Sequence, residues 1–129
     1  MSGAEKINIA IVDDDASLCH AMDRLLRAAG FQPFTYHSAE AFLEEGERVR
    51  PDCILLDIQL GGMSGFELQN RLVSSGSTIP VIFITAYDDP ETREQARQTG
   101  CIAYLRKNDP GGAVLEAIRK AVQLDKGKG

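Results

Sequence analysis

The chain has 129 residues, with 14 lysines and arginines against 19 aspartates and glutamates, for a formal charge of −5. That length suits one domain with a proper core, and that charge argues against direct nucleic-acid binding through a basic surface. No apolar run approaches the roughly 18 residues of a membrane span and no signal-peptide pattern precedes the first apolar segment, so a cytoplasmic protein without membrane attachment is expected.

Taken in order, apolar strands and amphipathic helices alternate. Residues 7–12, Ile-Asn-Ile-Ala-Ile-Val, form the first predicted strand. Asp13-Asp14-Asp15 follows, then a helix to Ala29 whose apolar face is Leu18, Met22, Leu25, Leu26 and Ala29, with Gly30 at its C-terminal end. Residues 32–36 make a short second strand, and Ser38 can cap a helix carrying Phe42 and Leu43. Residues 53–57, Cys-Ile-Leu-Leu-Asp, form an unbroken apolar run that ends on one carboxylate. Bounded by Pro51 and by Gly61-Gly62, it reads as a strand buried on both faces. Ser64-Gly65-Phe66-Glu67 has the form of a capping box and opens a helix to about Ser74.

Residues 80–85 are the fourth strand. Asp89 and Pro90 start a fourth helix that is polar nearly all round, with Ala96 its main apolar residue and Gly100 at its end. Residues 101–105 are the fifth strand. Asp109, as cap, and Pro110, in the first turn, open a last helix with the stripe Val114, Leu115, Ile118, Ala121 and Val122, and residues 124–129 are expected to be a frayed tail. Five strands, each followed by a helix, imply an α/β fold: a doubly wound, five-stranded parallel sheet of order 2-1-3-4-5, with the core at about 7–123.

In that sheet Asp13, Asp14, Asp57, Thr85 and Lys107 all fall at the carboxyl edge, where open α/β sheets place their sites. Clustered carboxylates repel one another, and a hard cation such as Mg²⁺ relieves the repulsion. Lysine adds a mobile positive charge, and a threonine hydroxyl can donate to a phosphoryl oxygen. Together these groups suit in-line phosphoryl transfer to a carboxylate. Asp13 and Asp14 could instead simply favour the positive end of the first helix. His20 and His37 have no matching metal partners. The three cysteines, Cys19, Cys53 and Cys101, lie far apart among apolar neighbours and read as buried free thiols in a reducing cytosol.

Five motifs in this order and spacing resemble the receiver domain of two-component response regulators, the CheY-like family with its flavodoxin-like fold. They are Ile11-Val12-Asp13-Asp14-Asp15, Leu55-Leu56-Asp57-Ile58, Met63-Ser64-Gly65, Ile84-Thr85-Ala86 and Ala103-Tyr104-Leu105-Arg106-Lys107. The resemblance implies a signalling switch rather than an enzyme of steady turnover. Asp57 would take a phosphoryl group from a histidine kinase or histidine phosphotransfer protein. Mg²⁺ would be held by Asp13, Asp14, Asp57 and the backbone carbonyl of Gln59. Lys107 would pair with the phosphoryl group, Thr85 and Tyr104 would switch together, and Gln59, Ala86 and Tyr87 would rim the site. Asp15 looks like a helix cap rather than a ligand. A downstream effector protein or domain, and a phosphorylation-dependent homodimer, are the implied partners of the face made by the fourth helix, fifth strand and fifth helix.

Two positions depart from the family pattern. Gly61 stands where proline is common, which should loosen the loop after Asp57. Asn108 stands where proline commonly follows the lysine. A trans Lys107–Asn108 bond is therefore expected, with Lys107 less firmly held and pairing mainly on activation. A small phosphohydrolase with an aspartyl nucleophile is the competing reading, but Gln59 occupies the place of its second acid. A flavodoxin-type cofactor module would need a glycine- and hydroxyl-rich loop where the three aspartates stand.

Overall fold

The computed structural model describes residues 6–128, with the backbone alone at Glu47 and at 124–128. Five parallel strands, β1 (Asn8–Val12), β2 (Gln32–Tyr36), β3 (Cys53–Asp57), β4 (Val81–Thr85) and β5 (Ala103–Arg106), lie in the order β2-β1-β3-β4-β5. Each is followed by a helix: α1 (Ala16–Ala28), α2 (Ala39–Val49), α3 (Gly65–Ser74), α4 (Pro90–Gln98) and α5 (Gly111–Lys128). The predicted sheet order and every predicted element are present. The first, fourth and fifth strands begin one or two residues later than periodicity suggests, and the fifth extends to Arg106. The α5 backbone continues to Lys128, through most of the stretch expected to fray, and Gly129 lies outside the described residues.

Strand alternation divides the core in two. Ile9, Ile11, Cys53, Leu55, Ile82 and Ile84 face α1 and α5, meeting Met22 and Leu26 on one and Val114, Ile118 and Val122 on the other. Ala10, Val12, Ile54, Leu56, Val81 and Phe83 face α2, α3 and α4, meeting Phe42, Leu68 and Ala96. All five residues of β3 and of β4 are buried, as strands covered on both sides must be.

The caps follow the sequence signals. Asp15 caps α1, Ser38 caps α2, Ser64 and Glu67 form a reciprocal capping box on α3, and Asp89 caps α4 with Pro90 in its first turn. Gly30 has φ +92°, the left-handed geometry expected after α1. Asp109 departs from expectation. Its carboxylate turns back to accept the Arg106 N–H at 2.9 Å and a guanidinium N–H at 3.3 Å, closing the β5–α5 turn. The described residues contain no cis peptide, so Lys107–Asn108 is trans. No helix among them is long and apolar enough to cross a membrane.

Candidate functional site

Register builds the site. Val12 pairs with Leu56, so one step further along both strands sets Asp13 beside Asp57. Both continue the face that carries Ile11 and Leu55, so both carboxylates point toward the α1 and α5 side. Asp13 is 0 % exposed and Asp57 2 %. Gly65 explains part of this enclosure. A Cβ there would strike the Asp57 carbonyl oxygen, so only glycine lets the start of α3 close over the end of β3.

Lys107 sits between the two acids. Its Nζ lies 3.1 Å from Asp57 Oδ2, donates to Asp13 Oδ1 at 3.2 Å and stands 3.1 Å from Asp13 Oδ2. The expectation that Lys107 would be loosely held and pair mainly on activation is thus corrected. The β5–α5 turn is fastened by Lys107 N–H to the Thr85 carbonyl at 2.9 Å and by the Asp109 carboxylate, so a trans Lys107–Asn108 peptide still delivers the ammonium.

Burial and the Asp13 charge push the Asp57 carboxyl up to about 6, against the lowering pull of Lys107 and of the Gln59 N–H, which donates to Oδ1 at 3.1 Å. Burial works to lower the Lys107 ammonium. The hydrogen bonds and charges of Asp13 and Asp57 overcome it and leave that pKa raised.

Asp13, Asp14 and Asp57 each offer a carboxylate oxygen, and these three atoms lie within 4.8 Å of one another. Asp13 Oδ2 is buried and accepts no hydrogen bond: Lys107 is close to it but outside bonding geometry. An all-oxygen set with one buried, unpartnered oxygen fits a hard divalent cation such as Mg²⁺. Asp14 is exposed, and its Oδ2 accepts the Gly61 N–H at 3.3 Å.

Of the remaining predicted residues, Thr85 is hydrogen-bonded away from the acids, Tyr104 lies under Arg93, and the rim residues are exposed. The Thr85 hydroxyl, 1 % exposed, donates to the Tyr87 carbonyl at 3.2 Å and accepts the Tyr87 N–H at 3.0 Å. Tyr104 pairs with Phe83 across β4 and β5, and both pack on the α2, α3 and α4 side. Its buried hydroxyl has no hydrogen bond, and burial and the Asp88 charge raise its pKa. The Arg93 guanidinium lies 5.2 Å above the ring and is paired at 2.6 Å with Asp88. Gln59 and Ala86 are exposed at the rim, and Tyr87 is 61 % exposed.

Other contacts carried no sequence signal. Glu40 of α2 accepts the Met63 N–H at 3.1 Å across 23 residues of chain. The Cys19 thiol donates to the Asp13 carbonyl at 3.3 Å.

A buried acid pair bridged by lysine at the carboxyl edge of a 2-1-3-4-5 sheet places the chain among the doubly wound α/β proteins that carry their site at that edge. The sequence profile of the response regulator receiver domain matches residues 9–119, and the chain belongs to that family. It is similar to the response regulator protein TmoT of Ectopseudomonas mendocina, 34 % identical over 116 residues that cover 90 % of this chain and 53 % of TmoT. It is also similar to the transcriptional regulatory protein TdiR of Thauera aromatica, 30 % identical over 118 residues, covering 92 % of this chain and 52 % of TdiR. The chain thus spans about half the length of these relatives. The crystal structure of a response regulator receiver protein from Burkholderia phymatum superposes with a TM-score of 0.81 at 40 % identity, covering 92 % of this chain and 96 % of that one.

Proposed function

We propose that this chain is a phosphorylation-driven signalling switch whose acceptor is Asp57. The observation that carries the reading is the buried Asp57–Lys107–Asp13 arrangement, with both carboxylates within 3.2 Å of one ammonium. An Asp57 oxygen attacks the phosphorus of a phosphohistidine on a histidine kinase or phosphotransfer protein. The P–N bond breaks, the imidazole keeps the electron pair and takes up a proton, and Asp57 becomes an acyl phosphate. At neutral pH a carboxyl with a pKa of about 6 is ionised and able to attack.

Asp13, Asp14, Asp57 and the Gln59 carbonyl would hold Mg²⁺, which would supply charge neutralisation for the incoming phosphoryl oxygens. Lys107 leaves its bridge to pair with the phosphoryl group. Thr85 releases the Tyr87 main chain and donates to a phosphoryl oxygen, and Tyr104, which shares its face of the sheet, moves with it. Helix α4 is suited to respond, because Ala96 is its one buried residue. The responding face, α4, β5 and α5, then meets an effector domain or protein, or a second copy of the chain. A cytoplasmic location is part of this reading.

Acetyl phosphate with Mg²⁺, followed by intact mass over time, tests the proposal. The expected result is one phosphoryl group per chain, dependent on Mg²⁺, followed by slow loss. Rapid, continuing release of inorganic phosphate without an accumulated adduct would instead favour the phosphohydrolase reading.

A further inference from the structure

The loop after Asp57 carries Gly61-Gly62 and is not slack. Gly62 adopts φ +79°, a geometry that side-chain-bearing residues rarely take. The loop is tied at both ends: the Gly65 N–H bonds the Ile58 carbonyl at 2.9 Å, and the Gln59 N–H bonds Asp57. Between these ties two carboxylates grip it from other elements. Asp14 accepts the Gly61 N–H, and Glu40, from the first turn of α2, accepts the Met63 N–H. The fit around Glu40 is close, since a Cβ on Gly62 would come within 2.9 Å of Glu40 Oε2.

We infer that Glu40 is a positioning residue for Mg²⁺ binding: by holding Met63 it fixes the glycine loop so that the Gln59 carbonyl and the Gly61 amide stay registered against Asp14. The inference rests on the reading of Asp13, Asp14 and Gln59 as the Mg²⁺ site. Nothing else among the described hydrogen bonds ties residues 60–63 to α2. Without Glu40 the loop must be ordered as the cation binds, and the entropy of ordering is taken from the binding energy.

A purely structural alternative is that Glu40 only complements the positive end of α2. Three variants separate the two accounts. Glu40→Ala removes both the reach and the charge. Glu40→Asp keeps the charge but is one methylene too short to reach Met63. Glu40→Gln keeps an oxygen acceptor at full reach without the charge. The readouts are the Mg²⁺ dissociation constant by calorimetry without phosphodonor, and amide exchange at Gly61 and Met63.

For Glu40→Ala and Glu40→Asp, the loss of about one net hydrogen bond predicts roughly fivefold weaker Mg²⁺ binding with faster exchange at both amides. Glu40→Gln stays close to wild type in both. Affinity retained in Glu40→Asp, or lost in Glu40→Gln as much as in Glu40→Ala, overturns the inference. A wild-type protein that binds no Mg²⁺ overturns the acid-pair reading and this inference with it. A wild type that binds, with Glu40→Ala binding equally well, overturns this inference alone.

Discussion

Replacing Asp57 with Asn should make the metal-free protein more stable at neutral pH. Burial and the neighbouring Asp13 charge raise the Asp57 carboxyl from its ordinary 3.8 to about 6. A carboxyl whose folded pKa lies above its unfolded one binds more protons when folded. Its ionised form therefore costs stability at every pH above the folded value, and the cost shrinks as pH falls toward the unfolded value. A rise from 3.8 to about 6 puts the cost on the order of 3 kcal/mol at pH 7, most of it gone by pH 4. Asparagine keeps the shape and removes the charge, while Lys107 retains Asp13 as its partner. The melting temperature of Asp57→Asn in EDTA should exceed that of wild type by on the order of 10 °C at pH 7, with the gap nearly closed at pH 4. A variant less stable than wild type at pH 7, or a gap that does not change with pH, would refute the electrostatic argument.

Lys107→Met removes the shared cation, so the Asp57 carboxyl should titrate higher than in wild type, read by carboxyl-carbon NMR; an unmoved titration would mean that the ion pair is weak in solution. Asp14→Ala should weaken Mg²⁺ binding about tenfold or more in calorimetry, while stability in urea changes by less than about 0.5 kcal/mol because the side chain is exposed. Gly65→Ala places a methyl group against the Asp57 carbonyl oxygen, backbone against side chain with no slack, and should cost about 2–3 kcal/mol in urea unfolding. If α3 can shift freely, alanine's helix propensity would instead leave the variant as stable as wild type or more so.

Most of the fold was legible because each element carries its own local signal. β3 is a run of Ile54, Leu55 and Leu56 with no polar break, and Ser64 with Glu67 marks the start of α3 by spacing alone. The convergence of Asp13, Asp57 and Lys107 was legible because parallel strands bring their carboxyl ends to one edge. What stayed hidden were side-chain choices among nearby partners. Asp109 was expected to cap α5 but bonds back to Arg106, since an aspartate in a turn can serve amides on either side of it. Lys107 was expected to be loose because the peptide after it is not proline, yet its position is set by the turn's hydrogen bonds and by two buried charges. Glu40 reaching Met63 depends on how α2 packs beside the loop, and no periodicity in the sequence records that. The pairing of Arg93 with Asp88 above the Tyr104 ring is hidden for the same reason.

The central claim is that Asp57, rather than either of its acidic neighbours, takes the phosphoryl group. Treating the protein with acetyl phosphate and Mg²⁺, reducing the acyl phosphate with borohydride and sequencing the peptides by tandem mass spectrometry reads the site directly. Asp57 is expected to be converted to homoserine, with Asp13 and Asp14 unchanged and no conversion in Asp57→Asn. Conversion at Asp13 or Asp14 in the wild type, or a full phosphoryl adduct on Asp57→Asn, would contradict it.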